Sequence, residues 1–250
     1  GQHLPAVFLH ALAQAAAIFD MNFDHVLQED RSDFANELLA TALMVKNQAA
    51  VFKNPLPFIF AGETGGNTPT QEHVFRKELS KSSERSVVLD ELFAFISGSP
   101  KMQSLAEICL QSADELMTNA FYNAPIQLNG SRPLQNTDRT VEVLLEEKRR
   151  IRFFAQYTSK RLVIGCEDTY GSFERDIMVE NYNRVLLKDK LKPRQRTAGA
   201  GIGFRFLVDN AAGTYVFVEK KKRTLICSAF LPGGLELNLS VAKHLHANFI

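Results

Sequence analysis

The chain has 250 residues, 45% of them hydrophobic and 23% charged, and a formal net charge of +1. That balance predicts a soluble globular protein with a sizeable core, as one large domain or two ordinary ones. It offers no overall basic field to draw a nucleic acid, and no apolar run reaches the ~18 residues that span a bilayer.

The alanine-rich stretch 11–19 is short and lacks a basic flank, so it does not read as a signal peptide. Cys109, Cys166 and Cys227 lie among apolar residues with no CxxC pair and no ligand spacing to the histidines. Buried thiols in a reducing, cytoplasmic compartment are expected, not a zinc site.

In chain order, residues 4–19 read as a helix and 23–27 as a short strand. Apolar residues at helical spacing, among them Phe34, Leu38, Ala42, Val45 and Phe52, predict a helix over 33–52. Pro55 and Pro57 end it. Residues 57–62 read as a buried parallel strand, 62–70 as a polar loop and 88–96 as an amphipathic helix. This alternation predicts an open α/β sheet. The helix-stopping run Ser97-Gly98-Ser99-Pro100 divides the chain into domains 1–98 and 99–250.

In the second part Ser104 and Glu107 form a capping box before a helix that runs to Ala124. Strands are expected over 140–145, 151–156 and 161–166. A basic segment, 188–196, precedes a glycine cluster and a short helix over 203–211. Strands over 214–219 and 224–231 then flank the turn 220–223. One layer of strands against a few helices predicts an α/β sandwich.

Three features carry chemistry. Glu115 and Asn119 are four residues apart and project from one helix face. An amide oxygen is a hard ligand suited to Mg²⁺, and a carboxylate beside it can deprotonate a nucleophile; alternatively the pair is a solvated polar face. Asp168 ends a buried-looking strand, where a carboxylate can accept a hydrogen bond from an exocyclic amino group; alternatively it forms a turn. Gly199, Gly201 and Gly203 permit close backbone approach to phosphate at a helix start, or act as a plain hinge. Their spacing is neither a dinucleotide fingerprint nor a P-loop. The basic run before them reads as a lid or a solvated loop.

Taken together and in this order, residues 104–234 resemble the histidine-kinase-like ATPases, the superfamily that also holds the gyrase-type ATPases and the anti-sigma-factor serine kinases. Glu115-Leu116-Met117-Thr118-Asn119-Ala120 looks like the family's N box, Asp168–Phe173 like its G1 box and the 199–203 glycines like its G2 box. The resemblance implies a cytoplasmic signalling protein that binds ATP and Mg²⁺. Asn119 would hold the metal, Glu115 would be the general base and Asp168 would read adenine. Gly171, Phe173 and Thr224 would line the nucleotide site, and Gly199, Gly201 and Gly203 would form the lid hinge and phosphate amides. Phosphoryl transfer to a partner signalling protein is implied; the alternative is a non-catalytic interaction module. Neither nucleic acid nor membrane is an expected partner, and a homodimer is compatible.

The G1 box departs from the family. Tyr170 and Ser172 stand at its glycine places, Gly171 falls between them, and a ring at 170 could fill part of the adenine pocket.

Residues 1–98 more weakly resemble a degenerate response-regulator receiver domain. Glu29 stands at the phosphoacceptor place, Ala61 where Ser or Thr is usual, and residues 75–78 read as the strand that carries the receiver lysine.

Overall fold

The computed structural model describes residues 7–10, 24–64, 73–127, 129–186, 202–233 and 243–250. Its described strands form one mixed sheet. They are β1 (Val7–His10), β2 (His25–Gln28), β3 (Val74–Leu79), β4 (Ile151–Tyr157), β5 (Leu162–Asp168), β6 (Gly213–Glu219), β7 (Arg223–Phe230) and β8 (His244–Phe249). Across the sheet the order is β1-β2-β8-β6-β7-β5-β4-β3. The pairs β1/β2 and β6/β8 are parallel; the others are antiparallel.

The central strands read in the sequence as almost unbroken apolar runs because both faces of the sheet are covered. On the front lie α5 (Glu84–Ser97), α6 (Ala106–Thr118), α7 (Arg175–Leu186) and α8 (Ile202–Asn210). Leu92, Met117, Met178 and Leu207 from these helices pack on Ile164, Val216 and Ile226 of the sheet. On the back lie α1 (Phe34–Lys46), α2 (Gln48–Lys53), α3 (Leu56–Ile59) and α4 (Ala61–Thr64). There Met44, Val51 and Phe60 pack on Val163, Phe217 and Leu225. Side chains of successive strand residues point to opposite faces, so Val163 and Ile164, or Leu225 and Ile226, serve different cores. The molecule is a three-layer α/β/α fold.

Part of the back layer is held by charge. Arg161, with its side chain 2% exposed, pairs with Glu37 and places its Nε 2.9 Å from Glu63 Oε1. It also donates to the Tyr215 hydroxyl at 2.8 Å, which donates to Glu37 Oε2 at 2.7 Å. His246 Nε2 lies 3.0 Å from Glu37, His244 Nε2 lies 3.2 Å from Asp33, and His25 Nδ1 lies 3.4 Å from His246 Nδ1. A buried cation persists where carboxylates surround it; here Glu37, Glu63 and the Tyr215 hydroxyl do so, the Nε–Glu63 contact being an ion pair without hydrogen-bond geometry.

Several expectations are corrected. The receiver-like reading gives residues 1–98 an open sheet of their own. Instead β1 and β2 form one edge of the common sheet and β3 the other, with strands from residues 151–249 between them. The sheet therefore continues across position 98, and Gly98 lies in the turn between α5 and α6, which share the front core. The two-layer sandwich becomes three layers because α1–α4 cover the second face.

Residues 7–10, expected in a helix, are a strand whose β conformation is fixed by parallel pairing with β2; the remainder of 4–19 lies outside the described residues. The apolar run 57–62 is helical. Pro57 sits in the first turn of α3, where its missing N–H costs little, and Phe60 N–H bonds back to the Leu56 carbonyl at 3.1 Å. Residues 140–145 form only one bridge, Lys81 to Leu144, because β3 already pairs with β4 along its whole length. Ser104 makes no cap: it lies in a 3₁₀ turn, and α6 starts at Ala106. Strand β8 and helix α7 had no counterpart in the sequence reading.

Candidate functional site

The front layer contains a cavity of about 110 Å³ between α6, α7, α8 and the ends of β5 and β7. The π turn that continues helix α6 supplies its polar rim. Ile108, Cys109, Ser112, Leu116 and Met117 recur at helical spacing and bury one stripe of α6, which fixes how the helix is turned. Asn119 then opens a π turn, Asn119–Asn123, in which the Ala124 N–H bonds to the Asn119 carbonyl at 2.9 Å. Such single turns are frequent at functional sites. Here both Asn119 and Asn123 line the cavity.

The Asn119 amide is oriented from both sides. Its Nδ2 donates to Glu115 Oε1 at 2.9 Å, and its Oδ1 accepts from Asn123 Nδ2 at 2.5 Å. Glu115 stands behind Asn119. Burial pushes its carboxyl above the usual range, and the Asn119 hydrogen bond works against that shift. The first turn of α8 presses against Glu115: a Cβ on Gly203 would fall 1.5 Å from Glu115 Oε1. Gly203 is therefore required for close packing. Gly199 and Gly201 lie outside the described residues.

At the opposite end, Asp168 and Thr224 face each other across the β5/β7 pair, and both line the cavity. Burial raises the Asp168 carboxyl to about 7. The Tyr170 and Gly171 backbone N–H groups and the nearby Thr224 hydroxyl favour its anion and only partly offset burial. The Tyr170 N–H bond is 2.8 Å. Thr224 itself is short of good geometry: its buried oxygen has no hydrogen-bond partner within range. A buried polar atom left over on a cavity wall is a place for a ligand group. Phe173 also lines the cavity, its ring 5.0 Å from that of Phe204, and Cys166 and Ile226 form an apolar floor.

The altered G1 segment leaves the cavity open. Tyr170 is not among the lining residues; its ring lies under the Arg149 guanidinium, 4.9 Å away. Gly171, which is not a lining residue either, carries the left-handed conformation, φ +58°, and a Cβ there would fall 2.1 Å from the Glu219 carbonyl oxygen. The one glycine of the segment thus sits where a side chain is excluded.

Of the residues expected at the site, Asn119, Asp168, Phe173 and Thr224 share one cavity, while Glu115, Gly171 and Gly203 support its walls from behind. Asn123, Arg132, Gln135 and Ser172 also line it and were missed. Asn123 could have been found from its helical spacing to Asn119; Arg132 and Gln135 lie in an irregular segment with no periodic signal. Among the described residues, no group of three or more His, Cys, Asp or Glu side chains could hold a metal ion, so a cation at Asn119 would need oxygens from its ligand. No described helix is long and apolar enough to cross a membrane. No protein-family model matches the chain, and no curated protein matches it in sequence.

Proposed function

We propose that this chain is a cytoplasmic signalling protein of the histidine-kinase-like type that binds Mg-ATP in the front-face cavity and transfers phosphate to a partner signalling protein. The observation that carries the reading is the meeting of Asn119, Asp168 and Thr224, from α6, β5 and β7, around one cavity with an apolar floor.

The donor set fits an adenine nucleotide. The Asp168 carboxylate accepts from an exocyclic amino group, the Thr224 hydroxyl meets a ring nitrogen, and Phe173 flanks the base. The Asn119 oxygen would hold the phosphate-bound cation. Glu115, behind the wall, holds the Asn119 amide through its 2.9 Å hydrogen bond, and a nucleophile's proton would reach it only by relay through a water. Bound Mg-ATP supplies the transferable phosphoryl group. The chain's part is positioning and charge stabilisation.

Calorimetry with ATP, ADP and Mg²⁺ tests this. Saturable heat lost in Asp168→Ala supports it; no heat and no thermal shift with either nucleotide sinks it. A second reading, a nucleotide-holding interaction module without turnover, is favoured by the engagement of Asn119 at both ends of its amide. Phosphate transfer abolished by Glu115→Ala selects the enzyme; binding with no turnover in the native chain selects the module.

A further inference from the structure

Ser172 and Phe173 line the cavity beside Asp168, and the segment 169–173 that carries them is fixed from several sides. The Gly171 carbonyl accepts from the Lys221 N–H at 3.1 Å, and the Ser172 hydroxyl donates to the Ala124 carbonyl at 2.7 Å. The remaining holds come from segment 125–150. Arg149 donates to the Thr169 carbonyl and covers the Tyr170 ring. Arg132 Nη1 donates to the Asn123 carbonyl at 2.7 Å and the Ser172 hydroxyl at 3.2 Å, and its Nη2 donates to the Ser172 carbonyl at 2.7 Å. Its one acidic partner among the described residues, Glu174 at 3.3 Å, is 65% exposed and adds little.

Arg132 is itself held on a folded loop. Arg139 donates to the Leu134, Gln135 and Thr137 carbonyls and stacks on Tyr122, 4.5 Å from the ring centre. The guanidinium fork therefore joins the π turn of α6 to the segment bearing Ser172 and Phe173, while lining the same cavity.

We propose that Arg132 is a positioning residue for the cavity: it fixes the Ser172–Phe173 wall before a ligand arrives, so that binding need not order it. This rests on the adenine-nucleotide reading above. Preorganisation raises affinity by removing an ordering cost. Lysine cannot replace the fork, because one ammonium does not span two carbonyls and a hydroxyl in a plane.

The test compares the native chain, Arg132→Ala and Arg132→Lys. Calorimetry measures adenosine, ADP and ATP binding, and amide hydrogen exchange follows residues 170–173 in the free protein. Arg132→Ala is expected to weaken all three ligands by a similar factor, on the order of ten-fold for the lost charged hydrogen bonds. It is also expected to speed exchange at 170–173, with little rescue by lysine. Native affinity in Arg132→Ala, full rescue by lysine, or a loss that grows from adenosine to ATP overturns the proposal; the last would make Arg132 a phosphate contact. If the native chain takes up none of the three ligands, the nucleotide reading falls and the affinity claim with it. Unchanged exchange in Arg132→Ala separately overturns the fixing of the wall.

Discussion

At the residue scale, the glycines and Asp168 make the sharpest statements. A methyl on Gly203 collides with Glu115, and one on Gly171 meets the Glu219 backbone at a strained φ. Gly203→Ala and Gly171→Ala should each destabilise the fold by about 1–3 kcal/mol. Gly213→Ala, with its nearest neighbours at 3.6 Å, should be nearly neutral. Urea denaturation of the three variants checks this. Asp168, raised to about 7, is about half protonated at pH 7, yet an adenine amino group needs the carboxylate. Nucleotide binding should therefore release a proton and tighten as pH rises from 6 to 8. Calorimetry at pH 6.5 in buffers of different ionisation enthalpy reads the proton directly, and buffer-independent heats would contradict the assignment.

At the element scale, the buried ion cluster ties α1 to β5, β6 and β8. Replacing Arg161 by Met leaves Glu37 and Glu63 without their cation, and the loss should be about 3–5 kcal/mol, the usual result of orphaning a buried charge. Equilibrium unfolding of Arg161→Met measures it. Legibility in the sequence also divides by element. Strands β4 to β7 and helices α1, α5, α6 and α8 were evident because apolar spacing records which faces are buried. The motif order brought Asn119 and Asp168 together on paper, and they share a cavity in the fold. The run at 57–62 was misread because six apolar residues look alike in a strand and in a buried helical turn. Strand β8 was missed because His244 and His246, its back-face residues, are polar; only their partners Asp33 and Glu37, some two hundred residues earlier, make them interior groups. Arg132 was invisible for the same reason: its partners are carbonyls that folding brings near.

At the scale of the whole molecule, two sets of buried groups drive stability in opposite directions with pH. The Asp168 carboxyl is raised to about 7 from 3.8. The native state thus binds the proton more tightly, and stability falls as pH rises from about 4 to 7, by roughly 4 kcal/mol in all. His25 is lowered to about 3 by burial and by His246, and burial also lowers His246. For these the unfolded chain binds the proton more tightly, so stability falls as pH drops below 6.5. The two effects oppose each other between about pH 4 and 6.5. Asp168→Asn should unmask the histidines and give a protein markedly more acid-labile than the native chain, whereas His25→Phe should flatten the acid limb. Denaturation midpoints at pH 4.5, 6 and 7.5 test both, and parallel profiles for all three proteins would refute the account.

The position of β8 between β2 and β6 also bears on synthesis. Among the described strands, β2 reaches the rest of the sheet only through β8, and the His25–His246 contact closes a loop of 221 residues. During vectorial translation the early β1–β2 ribbon must wait, unzipped from its neighbours, until residues 244–249 clear the ribosome. Long-range closure of this kind slows folding and leaves an exposed edge in the interim. A nascent chain stalled before His244 should therefore be a chaperone client, and one stalled by a tether beyond Ile250 should not.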